Sequence, residues 1–458
     1  MPEQKEIGQL VTAVFRAWQH ANLPFLVLRN YDGLPESTTN DIDVLVDPPR
    51  RRQAEQVLLA AAQSAGFRLH NRAEFATLAL YLSSPTSNLQ AHFDLFTALK
   101  WRGFDFLDCH GFLARRRRRE HFAIPHPADE AATNLLASMI YTGRVKEKYK
   151  PSIAGGFRAA AAAATELLAK TYGARHAEFL VAAGAQEKWA EIESLTGALR
   201  RTLIIRQLLR QPMRTFGTLA MDAGRLTRRL VQPPGLTVVL CGADGSGKST
   251  AGRAILEGLS GTFSPLKGRY FHWKPALFSA KRRAQRGPAT DPHGQTPRHP
   301  VASLCYFAFH WLEFLLGSHL VLRAVTFRGG LVLIDRFYYD FFVDQRRYRL
   351  RVPPVLVRLG YIFLKKPDLV VLLDAPAEVL QQRKQEVSLA ETRRQCRAYN
   401  ALVQTLPNGR IIEATQPPEQ VAADINRTIL NVMEERTRRR WGIRVAPSVS
   451  VNRAGTGF

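Results

Sequence analysis

An eight-residue segment in the second half of the chain has the composition of a phosphate-binding loop. Residues 242–249 read Gly-Ala-Asp-Gly-Ser-Gly-Lys-Ser and fit the pattern G-x-x-x-x-G-K-[ST]. Glycines let the backbone curl so that its N–H groups point at phosphate oxygens, and the start of the next helix adds its positive end. We expect Lys248 to reach the β- and γ-phosphates of ATP, and the Ser249 hydroxyl to hold Mg²⁺. The predicted ATP-binding residues are Gly242, Asp244, Gly245, Ser246, Gly247, Lys248, Ser249 and Thr250.

The segments around this loop predict an alternating strand and helix fold. Residues 236–240 form a short apolar run typical of a buried strand, and residues 250–259 follow as a helix. Further apolar strands are predicted at 331–334, 368–373 and 410–413, with helical segments between them. Such alternation predicts a parallel sheet covered by helices on both faces, with ligands at the carboxyl ends of the strands.

Charged residues follow these predicted strands at the edge where ligands bind. Asp335 and Arg336 end the strand at 331–334, and Asp374 ends the strand at 368–373. A carboxylate at this edge can bind Mg²⁺ or its waters, and an arginine can clamp a phosphate through two hydrogen bonds. Asp335 is therefore a predicted magnesium ligand together with Ser249. Asp374 fits a helix N-cap equally well.

A second group of carboxylates lies near the start of the chain. Asp41 and Asp43 fall on one face of a predicted strand, because side chains alternate with a period of two, and Ile42 falls on the other. Neighbouring carboxylates repel each other and so favour a cation between them. Asp94 lies within another predicted strand, and three converging carboxylates can bind Mg²⁺ for nucleotide chemistry. The alternative is a solvated edge strand without a metal.

From about residue 236 to 436 the chain resembles the thymidylate kinase family of P-loop nucleoside-monophosphate kinases. GADGSGKST is similar to the family's G-x-D-x-x-G-K-[ST]-T loop, DRFYYDFFVDQ to its D-R-Y-x-x-S-x-x-A-Y-Q segment, and PDLVVLLD to its P-D-L-x-x-x-L-D strand. HWKP, at residues 272–275, stands where the family has an R-E-P segment. The resemblance implies in-line transfer of the γ-phosphoryl group of ATP, with Mg²⁺, to a small phosphorylated or nucleotide acceptor. It also implies a dimer.

The resemblance implies roles for the matched residues. Asp244 takes the place of the loop aspartate that contacts the acceptor sugar, and Lys274 that of a phosphate-binding arginine. Arg383 and residues 393–394 fall where the family has basic residues that stabilise the transferring group by charge. The implied catalytic residues are Lys248, Asp335, Arg336 and Arg383. The implied acceptor-binding residues are Asp244, Lys274, Phe337, Asp340 and Gln345.

The chain departs from the family's pattern around the acceptor. Asp340 stands in place of the acceptor-site serine, Trp273-Lys274 in place of Arg-Glu, and Cys241 in place of the glutamate before the loop. We therefore expect intact donor chemistry and an altered acceptor pocket, with thymidylate only the default acceptor. A sugar or polysaccharide precursor is the alternative acceptor.

From about residue 20 to 150 the chain resembles the nucleotidyltransferase fold, in which an h-D-h-D-h strand and a later h-D-h strand carry the metal. LRNYDGLPESTTNDIDVLVD is especially similar to bacterial members of that superfamily. The resemblance implies Mg²⁺ on Asp41, Asp43 and Asp94. Arg29-Asn30 replaces the usual Gly-Ser pair ahead of the aspartates. Two hypotheses therefore stay open for this region, active nucleotidyl transfer and a non-catalytic domain.

The chain divides by composition into four predicted segments. Residues 1–150 are the α+β nucleotidyltransferase-like domain, and residues 151–232 are a helical connector rich in alanine and arginine. Residues 236–436 are the α/β P-loop domain with a doubly wound parallel sheet, and residues 437–458 are a flexible basic tail. Pro233-Pro234-Gly235 is the predicted boundary before the P-loop domain, because proline cannot continue a helix.

The chain carries a large positive charge. Its 458 residues include 64 Lys and Arg against 39 Asp and Glu, giving a net charge of +25, which predicts attraction to an anionic partner. One alternative function is therefore a nucleic-acid-binding P-loop ATPase, with the five arginines 115–119 as part of its surface. Few aromatic residues lie among these arginines, which argues against stacking on nucleic-acid bases. The strand at 331–334 ends in Asp335-Arg336, whereas helicases and similar motors usually have an acidic Walker B pair there. Both observations favour a small-molecule kinase.

Three further features bear on compartment and membrane contact. Four cysteines without a C-x-x-C pair, and an N-terminus without an apolar core, predict a cytoplasmic protein. Residues 301–327 are the most apolar stretch, but His310, Glu313 and Arg323 interrupt it, so we predict a buried core helix. The arginine-rich connector fits either a helix with a solvated basic face, which we favour, or a peripheral membrane contact.

Overall fold

The computed structural model describes residues 2–38, 41–85, 89–259, 262–263, 269–275 and 296–443. Within those residues the chain forms two five-stranded sheets and two small two-stranded sheets, with helices packed around them. One large sheet lies near the start of the chain and the other lies in its C-terminal half, as the sequence predicts.

The first large sheet is mixed. The described residues before Pro127 contain nine short strands: β1 Phe25–Val27, β2 Ile42–Val46, β3 Arg68–Glu74, β4 Leu78–Ser83, β5 Gln90–Phe96, β6 Leu99–Trp101, β7 Phe104–Leu107, β8 Arg117–Arg118 and β9 Ala123–Ile124. The first five form the large sheet, and β6-β7 and β8-β9 form the two small sheets. The large sheet has the order β1-β2-β5-β4-β3. β2 and β5 run parallel, and the other neighbours run antiparallel. The predicted strands around Asp43 and Asp94 are therefore neighbours, which brings their side chains to one region of the sheet.

Nine helices accompany these strands and continue beyond them. They are α1 Pro2–His20, α2 Arg51–Ser64, α3 Pro127–Thr142, α4 Lys150–Ala159, α5 Ala161–Tyr172, α6 Ala174–Ala185, α7 Trp189–Ser194, α8 Thr196–Arg210 and α9 Pro212–Val231. α3 shows how the sequence sets a helix end. Proline occupies its first turn, and Gly143 follows its last residue with a φ of 79°, a conformation that favours glycine.

The predicted connector is helical and shares an apolar core with the residues before it. α4, α5 and α8 pack on α3, and α6 packs on α4 and α5. Leu168, Leu180 and Leu203 lie in the same apolar core as Leu45 and Leu135. This core crosses residue 150, and the division of the chain into domains there remains a prediction. The Ala-rich composition that suggested a connector lets these helices approach one another closely, because alanine adds little bulk between their backbones.

The second large sheet is entirely parallel. Its strands are β10 Leu236–Cys241, β11 Arg269–Phe271, β12 Leu331–Asp335, β13 Leu369–Asp374 and β14 Gly409–Glu413, in the order β11-β12-β10-β13-β14. This arrangement confirms the predicted parallel α/β sheet and brings the carboxyl ends of its strands to one edge.

Helices cover both faces of this sheet. They are α10 Lys248–Gly258, α11 Pro300–Leu316, α12 Arg323–Phe327, α13 Asp340–Val343, α14 Pro354–Ile362, α15 Ala377–Arg383, α16 Leu389–Gln404 and α17 Pro418–Trp441. Alternate residues of β10 belong to different cores: Val238 packs with Ile255 of α10 and Ile429 of α17, whereas Val239 packs with Phe314 of α11. The sheet is therefore doubly wound, as predicted.

The last helix extends further than the sequence suggested. Residues 437–441 of the predicted flexible tail form the end of α17, and residues 444–458 lie outside the described residues. Thr437 donates a hydrogen bond of 2.9 Å to the backbone oxygen of His70. The guanidinium carbons of Arg72 and Arg228 lie 3.9 and 4.1 Å from the centre of the Trp441 ring. Contacts with the first sheet thus hold this arginine-rich end in a helix.

The most apolar stretch forms one long helix with two different faces. α11, a π-helical turn at Gly317–Leu322 and α12 run continuously from Pro300 to Phe327. This helix is long and apolar enough to cross a membrane by length and composition, and 39% of its most apolar window is buried inside the protein. His310 and Glu313 lie on the buried face. The predicted core helix is thus correct for that face, while Leu312 and Leu320 are exposed on the other.

Candidate active site

The glycine-rich loop leaves β10 and enters α10 at the carboxyl edge of the second sheet. Gly242, Gly245 and Gly247 all have positive φ, at 144°, 84° and 85°, a region that L side chains rarely adopt. A Cβ at Gly245 would lie 2.7 Å from the backbone oxygen of Leu380. The loop therefore needs glycine at 245 both for its backbone angle and for close packing against α15.

Lys248 is buried beneath this loop. Its Nζ donates hydrogen bonds of 2.9 Å to the backbone oxygens of Gly242 and Ala243, and it lies 3.3 Å from the Ser246 hydroxyl. Burial and the neighbouring charge of Arg336 lower the pKa of Lys248. The ammonium group is thus held at the start of a helix, where backbone N–H groups and the helix dipole favour an anion.

Ser249 and Asp335 both neighbour the Tyr270 hydroxyl at this edge. The Tyr270 hydroxyl donates to Asp335 Oδ2 at 3.1 Å and lies 3.5 Å from Ser249 Oγ, and His272 Nδ1 is 3.1 Å from the same Asp335 oxygen. Burial opposes ionisation, but the His272 hydrogen bond and the charges of Lys248 and Arg336 hold the pKa of Asp335 below its usual value. The site therefore presents an ionised carboxylate beside a hydroxyl.

These two residues fit a hard divalent cation. Asp335 Oδ1 is buried and accepts no hydrogen bond within the described part of the chain, although buried carboxylate oxygens are normally paired. Mg²⁺ takes oxygen ligands and is usually bound through one or two side chains together with substrate phosphates. Asp335 and Ser249 are the residues that would hold it here.

Two arginines converge on Asp244 in the loop. Arg336 donates to Asp244 Oδ1, and Arg347 donates to Oδ2 at 2.6 Å. Burial would raise the pKa of Asp244, but the two guanidinium groups outweigh it and hold that pKa far below its usual value. Arg336 itself has a φ of 79°, and strained backbone of this kind clusters at functional sites. Arg347 is a residue that the sequence reasoning missed.

The structure gives the other predicted acceptor residues internal partners. Lys274 forms a buried ion pair with Glu313 and lies 2.6 Å from His310 Nδ1. The Gln345 amide exchanges two hydrogen bonds with the backbone of Val352, at 3.0 and 3.1 Å. Their role in acceptor binding remains a prediction.

Phe337, Asp340 and Arg383 also have internal contacts. The buried ring of Phe337 packs edge-on against Phe314 with centroids 5.4 Å apart. Asp340 accepts hydrogen bonds from two tyrosines and Arg336. Arg383 donates to the backbone oxygen of Ala414 at 2.8 Å. Their catalytic and acceptor roles remain predictions. For Asp340, the three hydrogen bonds also indicate a structural role.

Part of the chain is similar to known thymidylate kinases. The enzyme of Xylella fastidiosa (strain M12) is 24% identical over 217 residues, which cover 44% of this chain and 91% of the relative. That of Xanthomonas campestris pv. campestris (strain B100) is 24% identical over 219 residues, which cover 45% of this chain and 88% of the relative. The chain contains a kinase-like P-loop region. No family model matches the chain.

Outside the kinase-like region, the N-terminal sheet gathers a second group of titratable side chains. Asp41, His92 and Asp94 offer ligand atoms that all lie within 4.8 Å of one another. Asp43 is the neighbour of Asp94 in the sheet but is not one of these three residues, and Arg29 Nε donates to its Oδ2 at 2.5 Å. The structure thus brings two of the three predicted carboxylates together and adds a histidine. Period two could have shown it, since His92 is two residues before Asp94 on the same strand face.

His92 bridges the two carboxylates of the cluster. Its Nδ1 lies 2.7 Å from Asp41 Oδ1, and its Nε2 lies 3.4 Å from Asp94 Oδ1. Burial lowers the pKa of His92, but the two carboxylates raise it more strongly, to about 10. A positively charged imidazole between Asp41 and Asp94 offsets the repulsion between the two carboxylates when no cation is bound.

Replacing His92 with glutamine is expected to flatten the pH dependence of stability. Because folding raises the pKa of His92 from 6.5 to about 10, its contribution is complete below about pH 6.5 and disappears as the pH rises through 10. The melting temperature in chelator should therefore fall between pH 8 and 10 more steeply for the parent than for His92→Gln. His110→Gln, at an exposed histidine, is the control and should keep the parent slope. Equal slopes in all three would contradict a charged His92.

The five-arginine run is engaged within the N-terminal part of the chain. Arg115 donates to the buried Asp129 at 2.8 Å, and Arg117 donates to the backbone oxygen of Pro125 at 3.0 Å. Arg119 lies 4.9 Å from the centre of the Tyr31 ring. These three arginines thus have partners within the protein, and nucleic-acid binding by the run remains an alternative prediction.

Proposed function

We propose that the protein transfers the γ-phosphoryl group of ATP to a small phosphorylated or nucleotide acceptor, with Mg²⁺. The observation that carries the proposal is the grouping of Lys248, Ser249 and Asp335 where the glycine-rich loop meets the carboxyl ends of β10 and β12. The similarity of part of the chain to thymidylate kinases supports the same chemistry.

Each group has a defined part in such a transfer. The loop amides and Lys248 bind the β- and γ-phosphates, which fixes the donor and offsets charge on the transferring group. Mg²⁺ on Ser249 and Asp335 supplies further positive charge for the phosphate oxygens. Phosphoryl transfer needs little covalent help from protein, so positioning and electrostatic stabilisation supply most of the rate.

Asp244 and its two arginines define the acceptor side. We propose that Asp244 orients an acceptor hydroxyl, while Arg336 and Arg347 keep the carboxylate ionised and lie ready to contact phosphate oxygens. Arginine suits this role because its planar fork matches phosphate geometry.

Thymidylate remains the default acceptor, and a sugar or polysaccharide precursor is the alternative. The specific observation in favour of the alternative is the Lys274–Glu313 ion pair. A carboxylate against this lysine offsets the charge that would otherwise attract the acceptor's phosphate.

ATP consumption with Mg²⁺ across a panel of nucleoside monophosphates and sugars tests the proposal. We expect turnover to depend on one acceptor class, with thymidylate the first to try. Failure with every monophosphate would end the nucleotide-kinase assignment and leave ATP binding intact. Turnover stimulated by duplex or single-stranded DNA, and lost at high salt, would instead favour the nucleic-acid-dependent ATPase.

A second function is proposed for the N-terminal sheet. The cluster of Asp41, His92 and Asp94 favours a metal-dependent nucleotidyltransferase over an inert domain, because its ligand atoms converge within 4.8 Å. Transfer of a labelled nucleotide from a nucleoside triphosphate, lost in Asp94→Asn and retained in Lys248→Met, is the expected result. Transfer of the nucleotide label that persists in Asp94→Asn would contradict this function.

A further inference from the structure

The solvent-facing side of α9 carries many large apolar side chains, whereas that of an ordinary surface helix is polar. Its exposed large apolar side chains are Met213, Phe216, Met221, Leu226, Leu230 and Val231, and the charged residues Arg214 and Arg228 are exposed among them. Two of the four arginines of α9 are half-buried and have partners within the protein. Arg225 pairs with Asp222, and Arg229 donates to the backbone oxygen of Phe327 at 2.6 Å. Arg225 and Arg229 thus have partners within the protein, whereas Arg214 and Arg228 are exposed beside the apolar side chains.

The same surface continues onto the kinase-like region. Leu320 in the π-helical turn, and Ile362 and Phe363 at the end of α14, are each more than half exposed. Arg323 donates to the backbone oxygen of Leu230, the residue before Val231, at 3.1 Å, so the end of α9 adjoins the π-helical turn. His319 Nε2 lies 3.2 Å from the backbone oxygen of Phe363, so that turn also adjoins the end of α14.

These contacts join three elements into one exposed surface, which we call the apolar band. Its defining residues are Met213, Phe216, Val231, Leu320, Ile362 and Phe363, each more than half exposed. Soluble monomers rarely expose contiguous apolar surfaces of this kind, and those that do usually bind something there.

The charge around the apolar band is one-sided. Residues 196–231, 300–330 and 351–367, which supply the band and its flanks, contain 14 Lys and Arg but only two acidic residues. Both acids are already paired, Asp222 with Arg225 and Glu313 with Lys274. A second copy of the chain facing the first across a two-fold axis would oppose one basic rim with another. An anionic surface has the complementary charge.

We propose that the apolar band docks the protein on the surface of an anionic lipid bilayer. Exposed aliphatic and aromatic side chains would enter the boundary between headgroups and acyl chains, and the flanking Arg and Lys residues would meet the lipid phosphates. The long helix from Pro300 to Phe327 lies along the surface and does not cross the bilayer. Its buried face holds the Glu313–Lys274 ion pair against the sheet, which a spanning helix would have to expose to lipid.

Co-sedimentation of the full chain with vesicles tests the proposal. We expect binding to vesicles of phosphatidylcholine mixed with phosphatidylglycerol, weak binding to phosphatidylcholine alone, and a marked loss at high salt. The double variant Phe216→Asp/Ile362→Asp should bind the anionic vesicles at least about tenfold less tightly, because it removes two large apolar side chains from the contact. Both substitutions are at exposed positions, so its melting temperature should stay close to the parent's.

A matched control and a second variant make the result decisive. Phe179→Asp changes an exposed aromatic residue on α6, outside the apolar band and next to Glu178, and should leave vesicle binding unchanged. Arg358→Glu/Lys366→Glu should weaken binding to anionic vesicles without removing apolar surface. Absence of vesicle binding, or a lipid-free dimer abolished by the Phe216→Asp/Ile362→Asp variant, would overturn the proposal. Failure of ATP turnover would not, because the band contains none of the loop residues.

Discussion

Replacing Lys248 with methionine is expected to lower ATP turnover by about 10²–10³-fold, the usual cost of removing one charged or hydrogen-bonding group that stabilises a transition state. Lys248 is the buried cation beneath the glycine-rich loop, and its Nζ is held by the backbone oxygens of Gly242 and Ala243. When ATP enters, phosphate oxygens would replace these neutral partners. Methionine keeps most of the length of the side chain but has no charge to offer.

The substitution is expected to reduce activity much more than stability. Lys248 is a desolvated cation whose pKa is already lowered by burial and Arg336, so exchanging it for an apolar side chain removes a charge that is costly to bury. We expect the melting temperature to remain near the parent value. A fall in turnover caused by unfolding would appear as a large drop in that temperature.

Turnover under saturating ATP and Mg²⁺, measured with the acceptor found in the panel, checks the prediction. Lys170→Met is the control, because Lys170 is an exposed lysine on α5 whose pair with Glu166 spans 3.8 Å on the helix surface, and such pairs contribute little. Lys170→Met should retain parent turnover. Turnover unchanged in Lys248→Met would rule out phosphoryl transfer at this loop.

Local sequence patterns predicted the donor side of the candidate site. The loop from Gly242 to Ser249 and the carboxylate at Asp335 follow from short motifs, because each is placed by a strand whose apolar residues are contiguous in the sequence. Strands of this kind, and the loops that follow them, can be predicted without knowing the tertiary contacts. The order of the strands in the second sheet brings Ser249 and Asp335 together through a parallel pairing between β10 and β12.

The acceptor side could not be predicted in the same way. Arg347 reaches Asp244 across 103 residues, and Lys274 reaches Glu313 across 39. These pairings depend on how loops and helices pack, and no local periodicity encodes them. The same holds for Trp441, whose contacts with Arg72 and Arg228 turn an arginine-rich tail into an ordered helix end. Resemblance marked positions such as Asp340, but it could not show which of them have internal partners.

Replacing Asp340 with alanine is expected to lower the free energy of unfolding of the kinase-like region by about 3–5 kcal/mol, as for other broken buried charge pairs. Asp340 is fully buried, accepts hydrogen bonds of 2.7 Å from the hydroxyls of both Tyr348 and Tyr399, and lies 3.4 Å from Arg336. Alanine would leave the two hydroxyls and part of the guanidinium group buried without this acceptor. The Tyr348 ring also stacks on Trp273 with centroids 4.5 Å apart, so the disturbance would reach the next segment.

This prediction separates two roles for Asp340. If Asp340 binds the acceptor, alanine should raise the KM for the acceptor at an unchanged melting temperature. If it holds the tyrosine pair, the melting temperature of this region should fall by roughly 6–20 °C. Asp424→Ala is the control, because Asp424 pairs with Arg427 at 3.0 Å on the surface, and its loss should cost less than about 1 kcal/mol.

A double-mutant cycle between Asp340 and Tyr399 makes the assignment independent of activity. Tyr399→Phe removes one hydroxyl from the carboxylate, and hydrogen bonds to charged groups contribute about 1.5–3 kcal/mol each. Since the Tyr399 hydroxyl has its partner in Asp340, adding Tyr399→Phe to Asp340→Ala should cost much less than adding it to the parent. Additive losses would show that the carboxylate does not act through this tyrosine. Asp340, which stands where the thymidylate kinase family has a serine, would then be assigned to the acceptor pocket. Its role there would follow from the chemistry of the acceptor that the enzyme uses.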